Sequence, residues 1–272
     1  MPNIASLIES ADVRTYSEGV STGFPELDDS TGGFLPGALW LVLGTPGVGR
    51  TILASQFASH TALRSGVVTS LVLAREPSRV ALLNMYCQLA QVPAHRLQRG
   101  GEESGEADRI ADARRQLRTS PLSIWSEGDG LSPLEHRDHF LAMFNASVAG
   151  EGSGRVVIID DFDDLGWLYG GDEGTPMLER LRRLRKSASE QHCTVVVTMS
   201  EEEWLEGTHA RAELRRGADV ILRIVRPDLF DQDNLRAGEA DLQVLRNRTG
   251  STQTHTVAFQ GHYRVFKDMS PN

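Results

Sequence analysis

The apolar residues of this chain gather in short unbroken runs rather than in alternation. Ala38 to Leu43, Val67 to Leu73, Val156 to Asp160 and Thr194 to Met199 are the clearest, with shorter runs at Leu122 to Trp125, Ala218 to Val225, Ala240 to Leu245 and Thr254 to Phe259. Continuous apolar runs of four to eight residues predict strands covered on both faces, as in a parallel sheet. Between them lie stretches with helical character: Thr51 to Leu63, Ser78 to Gln91, a helix ending near Ser120, Pro133 to Ser147, and residues 175–190. Strands alternating with helices predict an α/β fold, a mostly parallel central sheet with helices on both faces.

The remaining segments read as connections. Gly32-Gly33 and Pro36-Gly37 are turn chemistry, GGEESGEAD is a polar loop, and AGEGSGR is a flexible link ahead of the strand ending at Asp160. Residues 1–16 read as a loose or partner-bound arm and 269–272 as a tail. No internal repeat or low-complexity tract is visible.

The junction between the first apolar run and its helix carries the chemistry. Gly44, Thr45, Pro46, Gly47, Val48, Gly49, Arg50 and Thr51 match the spacing of a phosphate-binding loop, except that Arg50 stands where lysine is usual. Glycines let backbone N–H groups turn inward, and the helix that follows offers its positive end to an anion. Thr51 would place a hydroxyl on Mg²⁺. Arginine keeps the charge but is forked and bulkier, so nucleotide binding should suffer less than hydrolysis. Read blandly, the same residues are a glycine-rich turn. Asp160, closing the strongest apolar run, sits where the second carboxylate of such a site holds Mg²⁺; Asp161, Asp163 and Asp164 either assist or form a solvated loop.

Composition narrows the setting. Net charge is −9 and the sequence pI about 5.4, so nucleic acid would have to be met by a local basic surface rather than by the overall field. Two cysteines, Cys87 and Cys193, are too few for a secreted disulfide framework, and the first residues lack a basic and apolar leader. No run approaches the length of a membrane span. A reducing cytoplasm is the expected compartment.

The opening STGFPELDDSTGGFLPGALWLVLGTPGVGRT and the closing LQVLRNRTGSTQTHTVAFQGHYRVFKD together resemble the motor domain of DnaB-type replicative helicases. The opening alone is also similar to the related RadA and KaiC branch of RecA-like ATPases. The closing segment, with a basic-x-Arg-x-Gly turn, a strand and an aromatic-Gln-Gly-x-Tyr hairpin, fits DnaB better. VPAHRLQRG and the strand-end TMS fall in order between them, and the similarity runs from about Ser17 to Asp268. The family's separate N-terminal helical domain has no counterpart in these residues.

The resemblance implies a RecA-like phosphate-loop NTPase core over 17–268 with a C-terminal β-hairpin. It further implies ATP or another nucleoside triphosphate with Mg²⁺ as cofactors, and a homo-oligomeric ring, usually of six, with nucleotide between neighbours. Arg246 and Arg248 match the basic residues that reach the next subunit's γ-phosphate; without the family they are as readily caps on a surface turn. Single-stranded DNA and a replication protein are the implied partners.

Several positions depart from the family's pattern. Besides Arg50, its catalytic glutamate after the second strand aligns with Arg75, and Glu76 stands one residue late. Its glutamine sensor after the fourth strand is replaced by Glu201, an acid that repels phosphate unless protonated or paired. The channel loops GWLYGGDEGTP and EEEWLEGTHARAELRR are largely acidic, which opposes DNA, although the second ends in Arg211, Arg215 and Arg216. Arg180, Arg182, Arg183, Arg185 and Lys186 alternate with Leu178, Leu181 and Leu184, the pattern of a packed helix with a charged outer face. Arg182, Arg185 and Lys186 alternatively meet a neighbouring subunit. Trp40 reads as core; Trp167 and Trp204 either stack on bases or pack. His136, His139 and His192 form no metal spacing. Two functions follow: an ATP-dependent helicase motor, or a catalytically degenerate relative that binds nucleotide and partners with little hydrolysis.

Overall fold

The computed structural model describes residues 19–99, 103–126, 155–164, 177–201, 216–231 and 233–269. Its strands are β1 Leu39–Gly44, β2 Val68–Leu73, β3 Leu122–Ser126, β4 Arg155–Asp160, β5 Thr194–Ser200, β6 Val220–Val225, β7 Glu239–Asn247, β8 Thr254–Gln260 and β9 Val265–Asp268. Its helices are α1 Pro25–Thr31, α2 Arg50–Leu63, α3 Ser78–Ala90, α4 Ala94–Leu97, α5 Glu106–Thr119 and α6 Met177–Glu190. One sheet holds every strand, in the order β3-β2-β4-β5-β1-β6-β7-β8-β9. Pairing is parallel from β3 through β6 and antiparallel from β6 to β9.

The unbroken apolar runs are explained by burial on both sides. All six residues of β1 are buried. Successive side chains point to opposite faces, so Trp40 and Val42 join one core with Leu53 and Phe57 of α2. Leu39, Leu41 and Leu43 join the other with Leu181 and Leu184 of α6. Phe34 meets both Trp40 and Phe57 edge-on, at centroid distances of 5.0 and 5.2 Å. Trp40 is therefore core, as its sequence context predicts. On α6 the same logic sorts most of the charges: Leu181 and Leu184 face inward and Arg182, Arg183 and Lys186 are exposed, but Arg180, expected on the charged outer face, is buried.

The structure adds elements the pattern does not announce. Residues 25–31, inside a segment rich in turn residues, form α1 because Pro25 starts it, Glu26 and Asp28 complement its positive end, and Gly32 closes it at φ 78°. Asp28 then accepts bonds from Ser21 and from both the amide and hydroxyl of Thr22. The phosphate-loop helix begins at Arg50, one residue before the expected start. The hairpin expected at the C-terminus is β8 and β9. The helix predicted over Pro133 to Ser147, the arm at 1–16, and Trp167 and Trp204 lie outside the described residues. Among those described, no helix is long and apolar enough to cross a membrane.

Parallel pairing gathers the ends of β1, β2, β4 and β5 at one edge of the sheet, where Gly44 is in register with Ser200 and Leu73 with Asp160. The chain leaves β1 for β2, which lies beyond β5 and β4. Such a reversal opens a crevice beyond the carboxyl ends of the strands.

Candidate functional site

At that edge β1 gives way to the loop. Gly47 and Gly49 adopt φ values of 80° and 112°, a region that costs any residue with a Cβ. Gly49 is constrained twice, since a Cβ there would come within 2.8 Å of the Phe266 ring on β9. We expect Gly49→Ala to lower stability by about 2 kcal/mol in a denaturant melt. An unchanged midpoint would show that the loop tolerates another backbone shape.

Behind the loop, Asp160 is 1% exposed. The Thr198 hydroxyl donates to its Oδ1 at 2.6 Å and accepts the Asp161 amide at 3.0 Å. Burial, then the neighbouring charge of Asp161, push the Asp160 carboxyl up to about 6, against hydrogen bonds from Thr198 and Thr51 and the charge of Arg50. The Thr51 hydroxyl and the Asp160 carboxylate, which sequence assigns to one metal by motif alone, thus lie close enough to influence one another. A buried carboxylate and a hydroxyl are hard oxygen donors, and the unrelieved charge on Asp160 is what a divalent cation would stabilise. The residues fit Mg²⁺.

Arg50 does not project into open space. Its Nη1 donates to the Gly44 carbonyl at 2.5 Å and its Nη2 to Asp161 Oδ1 at 2.8 Å, with both side chains nearly buried. Asp161 is itself fixed by a left-handed backbone, φ 53°, and by its amide bond to Thr198. Asp163 accepts the Ser200 amide at 3.0 Å, and burial raises its carboxyl above the ordinary range. So neither Asp161 nor Asp163 is part of a merely solvated loop.

Glu201 is paired. Its carboxylate meets Arg223 Nη2 of β6 at 2.6 Å, and its amide donates to the Gly44 carbonyl at 3.2 Å. The repulsion expected of this acid is therefore offset within the chain. Sequence reading passed over Arg223, although a single cation inside the apolar strand VILRIV is a signal that something must partner it. Glu76 is exposed in the bend after β2, where its carbonyl accepts the Ser126 hydroxyl at 2.8 Å. It stands three residues beyond Leu73, the register partner of Asp160.

Arg246 and Arg248 lie at the opposite edge. Arg246 Nε donates to the Ala218 carbonyl at 2.9 Å, and Arg248 Nη1 to Asp219 Oδ1 at 2.9 Å. Asp219 also accepts two bonds from Arg185 and the amide of Leu39, the first residue of β1. The length of β1, about 15–20 Å, separates these arginines from their own loop. Beside them opens a cavity of about 910 Å³ lined by Arg182, Arg185, Lys186, Arg216, Arg248 and Asp219. Arg182, Arg185 and Lys186 thus share one surface with Arg248.

Residues 19–268 match the family model described as the DnaB-like helicase C terminal domain. The replicative DNA helicase DnaB of Leifsonia xyli subsp. xyli is 30% identical over 267 residues, 93% of this chain and 56% of that protein. The corresponding protein of Pasteurella multocida is 23% identical, again over 93% of this chain and 56% of its own length. The chain thus spans little more than half of these relatives. Among solved structures, one described as the ATPase domain of a protein superposes with a TM-score of 0.76 at 20% identity, covering 98% of this chain and 96% of that one. A DnaB-like replicative helicase, solved for its interactions with primase, gives 0.78 at 20% identity over 98% of this chain and 65% of that one. Both share the fold.

Proposed function

Because the chain belongs to the family of DnaB-like helicase C-terminal domains, we propose that it binds a magnesium–nucleoside triphosphate on Gly44–Thr51 and works as an ATPase unit between neighbouring copies of itself. The observation that carries this reading is the convergence, at one edge of the sheet, of a positive-φ loop after β1 and the buried Asp160 carboxylate at the end of β4. In this reading the loop amides and the first turn of α2 hold the phosphates. Thr51 and Asp160 hold Mg²⁺, which neutralises phosphate oxygens when bound. Arg50, once freed from Asp161, pairs with phosphate. Glu76 orients the attacking water, and Arg246 and Arg248 reach the nucleotide of the next copy, in a ring that acts in DNA replication. Single-stranded DNA and a replication protein such as a primase are partners proposed on the same basis.

A second reading, nucleotide binding with little hydrolysis, is favoured by two observations. Arg50 is already engaged by Asp161, and the glutamate that follows β2 stands at Glu76 rather than at Arg75. Steady-state ATPase measurements with and without single-stranded DNA, run beside a nucleotide titration, separate the two. DNA-stimulated turnover supports the motor; tight binding without turnover supports the binding module. We expect Arg50→Lys to raise turnover about tenfold. An unchanged rate would move the defect to the Glu76 position.

A further inference from the structure

We infer that Asp161 is the positioning residue for Arg50: it holds the guanidinium against the end of β1, so that nucleotide must draw Arg50 away from Asp161 to pair with it. This inference rests on the nucleotide-binding reading above. Two nitrogens of Arg50 are committed, one to the Gly44 carbonyl and one to Asp161 Oδ1 at 2.8 Å. The planar fork is what allows a single side chain to bridge the end of β1 and the residue just after β4, on strands separated by β5. A lysine ammonium at position 50 would be a point charge with no such fixed span.

Asp161 is suited to this task because its backbone is anchored. Its backbone is held in the left-handed region and its amide is bonded to Thr198, whose hydroxyl continues to Asp160. The side chains of Arg50 and Asp161 are only 11% and 13% exposed, so water screens the pair weakly. An anion entering the loop meets a cation that is already neutralised. Arginine at the loop and aspartate after β4 thus form a matched pair, and the second explains how the first is accommodated.

A removed negative charge would favour phosphate by its field alone, so the test must isolate the contact with Arg50. A double-mutant cycle does so. Affinity for magnesium and a non-hydrolysable ATP analogue would be measured by titration calorimetry on the native protein, Asp161→Asn, Arg50→Met and the double variant, with thermal melts to establish folding. Asp161→Asn is expected to tighten binding about tenfold in the native background and less than about twofold when Arg50→Met is already present. Equal tightening in both backgrounds, or none in either, would overturn the positioning role. If Asp161→Asn does not fold, Asp161→Ser carries the same expectation. Absence of binding by all four proteins would instead remove the nucleotide-binding reading, and this inference with it.

Discussion

Replacing Arg248 by alanine is expected to lower nucleotide turnover about 10³-fold while leaving nucleotide affinity within about twofold. The expectation follows from where the side chain stands. Arg248 leaves the end of β7, beside the start of β6, while the phosphate loop leaves the end of β1. A guanidinium at that edge is too far from its own loop to serve it, and in the proposed reading it serves the nucleotide of another copy. Its bond to Asp219 is half-exposed and contributes little to stability, so loss of fold does not account for the predicted effect. Arg246, whose Nε is spent on the Ala218 carbonyl, is expected to matter less. Mixing the Arg248→Ala protein with an Asp160→Asn protein should restore part of the activity, because some junctions then join an intact arginine to an intact metal site. Without recovery on mixing, or with affinity falling in parallel with rate, Arg248 is a structural residue.

Asp160→Asn is expected to stabilise the metal-free protein at pH 7.5 and to weaken magnesium-dependent nucleotide binding about 100-fold or more. Burial raises the Asp160 carboxyl from 3.8 to about 6. Between those values the native state keeps a proton that the unfolded chain has lost, so this group's contribution falls as pH rises through the interval. Above it the whole penalty is present. With each tenfold in proton affinity worth about 1.4 kcal/mol, removal of the charge is worth at most about 3 kcal/mol. In a domain of this size that is a rise in Tm of about 6–10 °C. Below pH 3.8 both states are protonated and the gain should vanish. Calorimetric scans at several pH values, without metal, check this; a Tm unchanged at pH 7.5, or a gain that persists in acid, contradicts it.

Much of the fold was legible because burial on both faces of a parallel strand leaves a direct mark, an unbroken apolar run such as LWLVLG or RVVIID. The loop was legible because its tight turn demands glycines at fixed offsets, as the positive φ of Gly47 and Gly49 shows. What escaped was the identity of partners across long separations. Asp161 lies 111 residues from Arg50 in the chain, and a pairing over that distance leaves no periodic trace. Glu201 illustrates the limit: its identity predicts repulsion at a phosphate site, whereas its neutralisation depends on β6 lying near β5, with only β1 between them. Asp219 was passed over for the same reason, since its four donors come from β1, α6 and the residue after β7.

In the proposed reading the two ends of β1 carry unlike halves of one reaction centre, a receiving loop at Gly44 and, through Leu39 and Asp219, a donating arginine at the other. A junction built from unlike patches is head-to-tail, so it cannot be satisfied by a twofold pair; it closes only as a cycle or continues as a screw. An open arc of protomers always leaves its terminal loop unserved. Specific activity per protomer should therefore climb with protein concentration and level off once the arcs close, a dilution series that needs no substitution at all.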